Sequence, residues 1–159
     1  MMSSRLATIA LNGTTKYGAV TERGIVDLSA RFGKNYPTLR EAIADRALDK
    51  LAEAGAKHAP DFALDAIAWQ PPIPAPEKII CIGVNYPDRN AEYKDGQDAP
   101  KYPSMFIRTP RSFVGHDTPV VRPRISPQLD YEGEVVLVIG KPGRHIPEAT
   151  ALDHIAALT

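Results

Sequence analysis

Gln128-Leu129-Asp130-Tyr131-Glu132-Gly133-Glu134-Val135-Val136-Leu137-Val138-Ile139-Gly140 joins a carboxylate-rich entrance to a continuous aliphatic run. The run predicts a strand over residues 132–139, the longest of the chain. Side chains alternate along a strand, so Glu132 and Glu134 fall on one face with Cα atoms roughly 6.6 Å apart, and Asp130 shares that side. Two carboxylates aimed at one place beside an apolar strand repel each other unless they share a proton or a cation. A solvated strand end is the other reading of the same spacing. A hard divalent cation such as Mg²⁺ prefers oxygen donors, and two carboxylates are too few to close a structural cage. The pattern therefore points to an open site completed by water or substrate.

Downstream, Pro147 is placed to open a helix through Ala157, with Ala151, Leu152, Ile155 and Leu158 as its apolar stripe. Upstream, prolines at 100, 103, 110, 119, 123 and 127 punctuate short β-rich runs at 78–82, 105–108 and 120–121. Between the first two lies the polar stretch 85–102. Pro71-Pro72-Ile73-Pro74-Ala75-Pro76 excludes helix and central strand and reads as a stiff connector between two structured regions.

The N-terminal 70 residues carry their own pattern. Residues 6–11 and 16–20 flank Asn12-Gly13, a strong two-residue hairpin signal, and 25–28 read as a third strand. Thr38-Leu39-Arg40-Glu41 reads as a capping box opening a helix that buries Leu39, Ile43, Ala47 and Leu51, with Gly55 as its C-cap. No catalytic constellation is visible here.

The 159 residues are 43% apolar with zero formal charge, enough for a core and without the basic face of a nucleic-acid binder. The longest apolar run is far below the roughly 20 residues that span a bilayer, and the N-terminus lacks an apolar signal core. These features indicate a soluble cytoplasmic protein. Cys81, the single cysteine, reads as a small core side chain. His116 and His145 read as turn residues, and His58 and His154 as solvated helix residues.

Several motifs occur in a telling order: Ile79-Ile80-Cys81-Ile82-Gly83-Val84-Asn85-Tyr86, Met105-Phe106-Ile107-Arg108, Phe113-Val114-Gly115, and Gln128 to Glu134. Together with Gly140, Arg144 and Ala151-Leu152-Asp153, they resemble the fumarylacetoacetate hydrolase family from about residue 77 to 159. The pattern resembles that of bacterial 2-hydroxyhepta-2,4-diene-1,7-dioate and 5-carboxymethyl-2-hydroxymuconate isomerase-like members. The resemblance implies an α+β protein: a small N-terminal β-plus-helix domain (1–70), a Pro-rich linker (71–76), and the first part of a mixed β-roll-like catalytic domain (77–159). It implies a homodimer in the full-length form. It also implies Mg²⁺ or Mn²⁺ on Glu132 and Glu134, small oxo or enol acid substrates, and C–C hydrolysis, isomerisation or decarboxylation in aromatic catabolism. Glu92 matches the proton-moving glutamate of the family's lid, and Tyr86, Arg89 and Arg108 fall at substrate-facing positions.

Two departures bear on that reading. The family's dyad histidine is Arg89 here, and arginine stays protonated, so it is assigned to clamping a carboxylate while Glu92 moves protons. This favours isomerisation or decarboxylation over hydrolysis. The family's Lys-Pro after the Phe-containing strand is Arg108-Thr109-Pro110. The family's third metal ligand and catalytic lysine come after the equivalent of Thr159. The corresponding expectation is a fragment or truncated product, inactive by itself, with a non-catalytic remnant or binding module as the alternative.

Overall fold

A computed structural model of the chain describes residues 5–86, 96 and 101–159. Strand β1 (Arg5–Leu11) runs into Asn12 and Gly13, whose φ angles of 49° and 77° suit a two-residue reversal. Strand β2 (Thr14–Thr21) returns antiparallel, in register from Leu11↔Thr14 to Arg5↔Val20. Strand β3 (Gly24–Asp27) pairs antiparallel with β2, and β4 (Ala68–Gln70) with the free side of β1. The resulting sheet has the order β3-β2-β1-β4.

Three helices follow β3: α1 (Leu28–Phe32), α2 (Leu39–Ala44) and α3 (Leu48–Lys57). Leu28, read from sequence as the end of a strand, instead starts α1, because the Asp27 carboxylate caps it by accepting from the Ala30 N–H. The Thr38/Glu41 capping box is formed, with the Thr38 N–H donating to Glu41 at 2.9 Å. The single helix expected from Thr38 to Gly55 is broken in two. Arg46 adopts φ 55°, its N–H reaches the Ile43 carbonyl and the Ala47 N–H reaches the Ala42 carbonyl, which together make a Schellman termination. Glycine normally occupies that left-handed position, so an arginine there gave no stop signal. Gly55 does not cap. It sits buried inside α3, where a Cβ would lie 2.3 Å from that of Ala19 on β2.

Leu39, Ala42, Ala47 and Leu51 pack with Tyr17, Ala19, Val26 and Leu28 as one core, with Ile43 also buried. The four positions of the expected stripe are inside even though the helix is interrupted. At the edge of this core, Lys16 donates to Asp27 at 2.8 Å and Arg31 to Asp61 at 2.9 Å. Burial of Asp27 acts to raise its pKa, but hydrogen bonds from Lys16, Ser29 and the Ala30 N–H outweigh it and hold the carboxyl below the usual range. Hydrogen bonds from the Arg31 guanidinium and the Asp27 N–H do the same for Asp61. Burial, with the charge of Asp27 nearby, pushes the Tyr17 phenol up to about 12.

The chain divides into two compact units, one of residues 1–74 and 114–159 and the other of residues 75–113. The smaller unit contains β5 (Ile80–Gly83) and β6 (Ser104–Ile107), paired antiparallel from Ile80↔Ile107 to Gly83↔Ser104. In the larger unit, β7 (Leu137–Ile139) pairs antiparallel with β8 (Ile155–Leu158), with an irregularity at Val138/Ile139. Three expectations are corrected here. The long strand begins at Leu137 rather than Glu132. The helix expected from Pro147 to Ala157 is a 3-10 segment, Glu148–His154, followed by β8, whose small and aliphatic residues serve a strand ladder as readily as a helix stripe. Val120 and Val121 form no strand. No helix among the described residues is long and apolar enough to cross a membrane.

Candidate functional site

Glu132 and Glu134 lie on an exposed segment without regular structure that leads into β7. Strand alternation therefore does not fix their common face as the sequence suggested. Gly133 between them has open space where a Cβ would project. Asp130, expected as a nearby third carboxylate, turns its Oδ1 to the Tyr131 N–H at 2.8 Å. Among the described residues no three His, Cys, Asp or Glu side chains gather where they could hold a metal ion. The donor chemistry of Glu132 and Glu134 still fits a hard divalent cation: two exposed carboxylates, two residues apart, leave most coordination positions for other oxygens.

The remaining candidates belong to residues 75–113. Tyr86 is exposed just after β5 and the left-handed Val84 (φ 55°). Arg108 directly follows β6, with its N–H on the Ile79 carbonyl at 3.1 Å and its guanidinium 5.6 Å from the centre of the Phe106 ring. Arg89 and Glu92 lie outside the described residues.

Sequence reasoning missed the buried polar residues Thr8, Asp27 and His154. His154, expected in solvent on a helix, is only 8% exposed, and its Nδ1 lies 2.9 Å from the Lys141 carbonyl. No local signal pointed to this, because the contact depends on the β7–β8 pairing. His116 does sit in a turn as read, with its ring edge-on to Trp69 at 6.2 Å.

Residues 78–159 match the family model described as fumarylacetoacetate (FAA) hydrolase C-terminal. That is more than half of the chain, and it contains both Glu132 and Glu134. The chain belongs to the fumarylacetoacetate hydrolase family. An oxaloacetate tautomerase of Bacillus subtilis (strain 168) is 40% identical over 100 residues, covering 62% of this chain and 33% of the relative. A human mitochondrial oxaloacetate tautomerase is 32% identical over 139 residues, covering 86% of this chain and 43% of the relative. Among solved structures, a fumarylacetoacetate hydrolase from Exiguobacterium antarcticum superposes with TM-score 0.69 at 26% identity, over 98% of this chain and 54% of that one. The chain thus spans about a third to a half of the length of these family members. Its mixed α/β architecture with antiparallel sheets is that of the family.

Proposed function

We propose that this chain contributes to a metal-dependent family enzyme that moves a proton on a small oxo or enol acid, the keto–enol interconversion of an oxaloacetate-like acid being the leading reaction. The observation that carries this reading is the 40% identity to a relative named as an oxaloacetate tautomerase. The family match containing Glu132-Gly133-Glu134 supports it.

In this reading Glu132 and Glu134 hold Mg²⁺ or Mn²⁺. The cation, when bound, supplies Lewis-acid polarisation of substrate oxygens. Arg89 clamps a substrate carboxylate as a fixed cation with a planar donor fork. Glu92 takes a proton from the carbon beside the carbonyl as C=C forms and the C=O becomes an enol C–O, and delivers it to the enol oxygen; a protonated arginine cannot accept that proton. Tyr86 and Arg108 bound the substrate. Residues 1–70 act as a small N-terminal domain, 71–76 as the connection, and 77–159 as the first part of the catalytic domain, in keeping with a family match that starts at residue 78. The reading places the full-length form in the cytoplasm, as a homodimer in aromatic or oxo-acid catabolism. C–C hydrolysis is the second reading, favoured by the fumarylacetoacetate hydrolase neighbour.

The test is Glu92→Gln in a catalytically competent form of the protein, with oxaloacetate enol–keto equilibration followed by ultraviolet absorbance. The reading predicts loss of turnover with Mn²⁺ binding retained. Full activity in that variant contradicts the role of Glu92. Activity that survives Glu132→Gln with Glu134→Gln contradicts the metal assignment.

A further inference from the structure

Asn12-Gly13 is the single Asn–Gly pair of the chain, and it forms the tip of the β1–β2 hairpin. Both residues are exposed, and both take the left-handed backbone that closes a two-residue turn, with φ 49° and 77°. The ladder ends at Leu11↔Thr14. Among the described residues, no protein hydrogen bond engages the Gly13 N–H or the Asn12 side chain. A Cβ added at Gly13 would meet nothing within 4 Å. An amide carbon and the backbone nitrogen that can attack it therefore stand next to each other, unengaged and in water. Asn35 is the contrasting case. It is also exposed, but the N–H that follows it, of Tyr36, donates to the Phe32 carbonyl at 2.8 Å.

We propose that Asn12 is a modification site at which the chain deamidates without an enzyme, and that one product loosens the hairpin. Hydroxide removes the Gly13 amide proton, the nitrogen attacks Asn12 Cγ, and an N–Cγ bond forms. The Cγ–Nδ2 bond breaks, Nδ2 takes a proton from water and leaves as ammonia, and a five-membered succinimide remains. Water then opens the ring. Cleavage of N–Cγ gives an aspartate at this position. Cleavage between the nitrogen and the main-chain carbonyl carbon gives an isoaspartate, with one extra methylene in the main chain. No electrons are transferred, and water is the sole co-reactant. The aspartate keeps the turn, because its short polar side chain tolerates positive φ. The isoaspartate does not fit a two-residue loop whose length fixes the β1–β2 register. That register carries the buried side chains of Ile9 and Tyr17. The site shares no residue with the proposed catalytic groups and does not depend on the catalytic reading.

The experiment ages the folded 159-residue chain in warm, mildly alkaline buffer beside a urea-unfolded sample, and maps peptides by mass and elution. The proposal predicts a gain of one mass unit at Asn12, a rate that rises in proportion to hydroxide, and both aspartyl and isoaspartyl products. In the folded sample Asn35 converts at least about fivefold more slowly, because its attacking N–H must first leave a hydrogen bond. The isoaspartyl fraction, once separated, melts at a lower temperature than a fresh Asn12→Asp chain, which carries the same charge on an ordinary main chain. An Asn12 that converts in urea but not in the folded chain overturns the site. Conversion no faster than at Asn35 does the same. An isoaspartyl fraction that melts together with the Asn12→Asp chain overturns the effect on the hairpin.

Discussion

Leu51 and Leu152 are the same side chain in opposite surroundings: Leu51 is 0% exposed beneath the sheet and Leu152 is 77% exposed. The contrast extends to their regions. In residues 5–70 the aliphatic side chains of β1 to β3 and the three helices converge on one core. In residues 114–159 Val121, Ile125, Tyr131, Val135 and Leu137 stand largely in solvent, and the backbone ladder of β7 and β8 is the main regular element. The first region is ordered by burial, the dominant favourable contribution to folding. The second is ordered mostly by hydrogen bonds, whose net contribution is small because water competes for the same groups. Glu132 and Glu134 lie in the second region, whereas the capping box, ion pairs and shifted carboxyls lie in the first.

The largest test of this contrast is a pair of truncations. Leu51→Ala is expected to destabilise by about 2–5 kcal/mol in chemical denaturation, and Leu152→Ala by less than about 0.5 kcal/mol. Equal effects would break the comparison. Overpacking is next. Gly55→Val forces a side chain against Ala19 and is expected to cost about 1–3 kcal/mol, while Gly133→Ala, with open space at its Cβ position, leaves the melting temperature nearly unchanged.

Acid gives a graded version of the same test. Asp27 and Asp61 have folded pKa values below the usual range, so their contribution is present above the unfolded carboxylate pKa of about 4 and is lost as pH falls through the folded values. The Tyr17 phenol shifts the other way, so its contribution is present below about 10 and lost as pH rises towards about 12. Melting temperatures are expected to drop below about pH 4 and again above about pH 10. The acid drop should be smaller in Asp61→Asn, which has one shifted carboxyl fewer. An unchanged acid profile in that variant would remove Asp61 from the account.

The parts of the fold that announced themselves are those fixed by local chemistry. Asn12-Gly13 needs positive φ at both residues, and Thr38 with Glu41 satisfies two helix N–H groups reciprocally, so neighbours a few residues apart were enough. The break at Arg46 was hidden because the residue in the left-handed position is one that rarely adopts it. Strand β4 and the 3-10/β8 passage were hidden because each is decided by a distant partner, β1 for Ala68–Gln70 and β7 for Ile155–Leu158. Glu132-Gly133-Glu134 was visible as a carboxylate pair and, through its surrounding motifs, as a family signature. The buried setting of His154 was not visible, since it depends on a carbonyl thirteen residues away.

The central claim is that the exposed Glu132/Glu134 pair, rather than anything in the packed N-terminal region, is the cation site. The most direct measurement is Mn²⁺ binding to the 159-residue chain by electron paramagnetic resonance, compared with a Glu132→Gln/Glu134→Gln double variant of unchanged melting temperature. The account predicts one weak, saturable site in the unaltered chain and none in the double variant. Equal Mn²⁺ binding by both, or none by the unaltered chain, would contradict it.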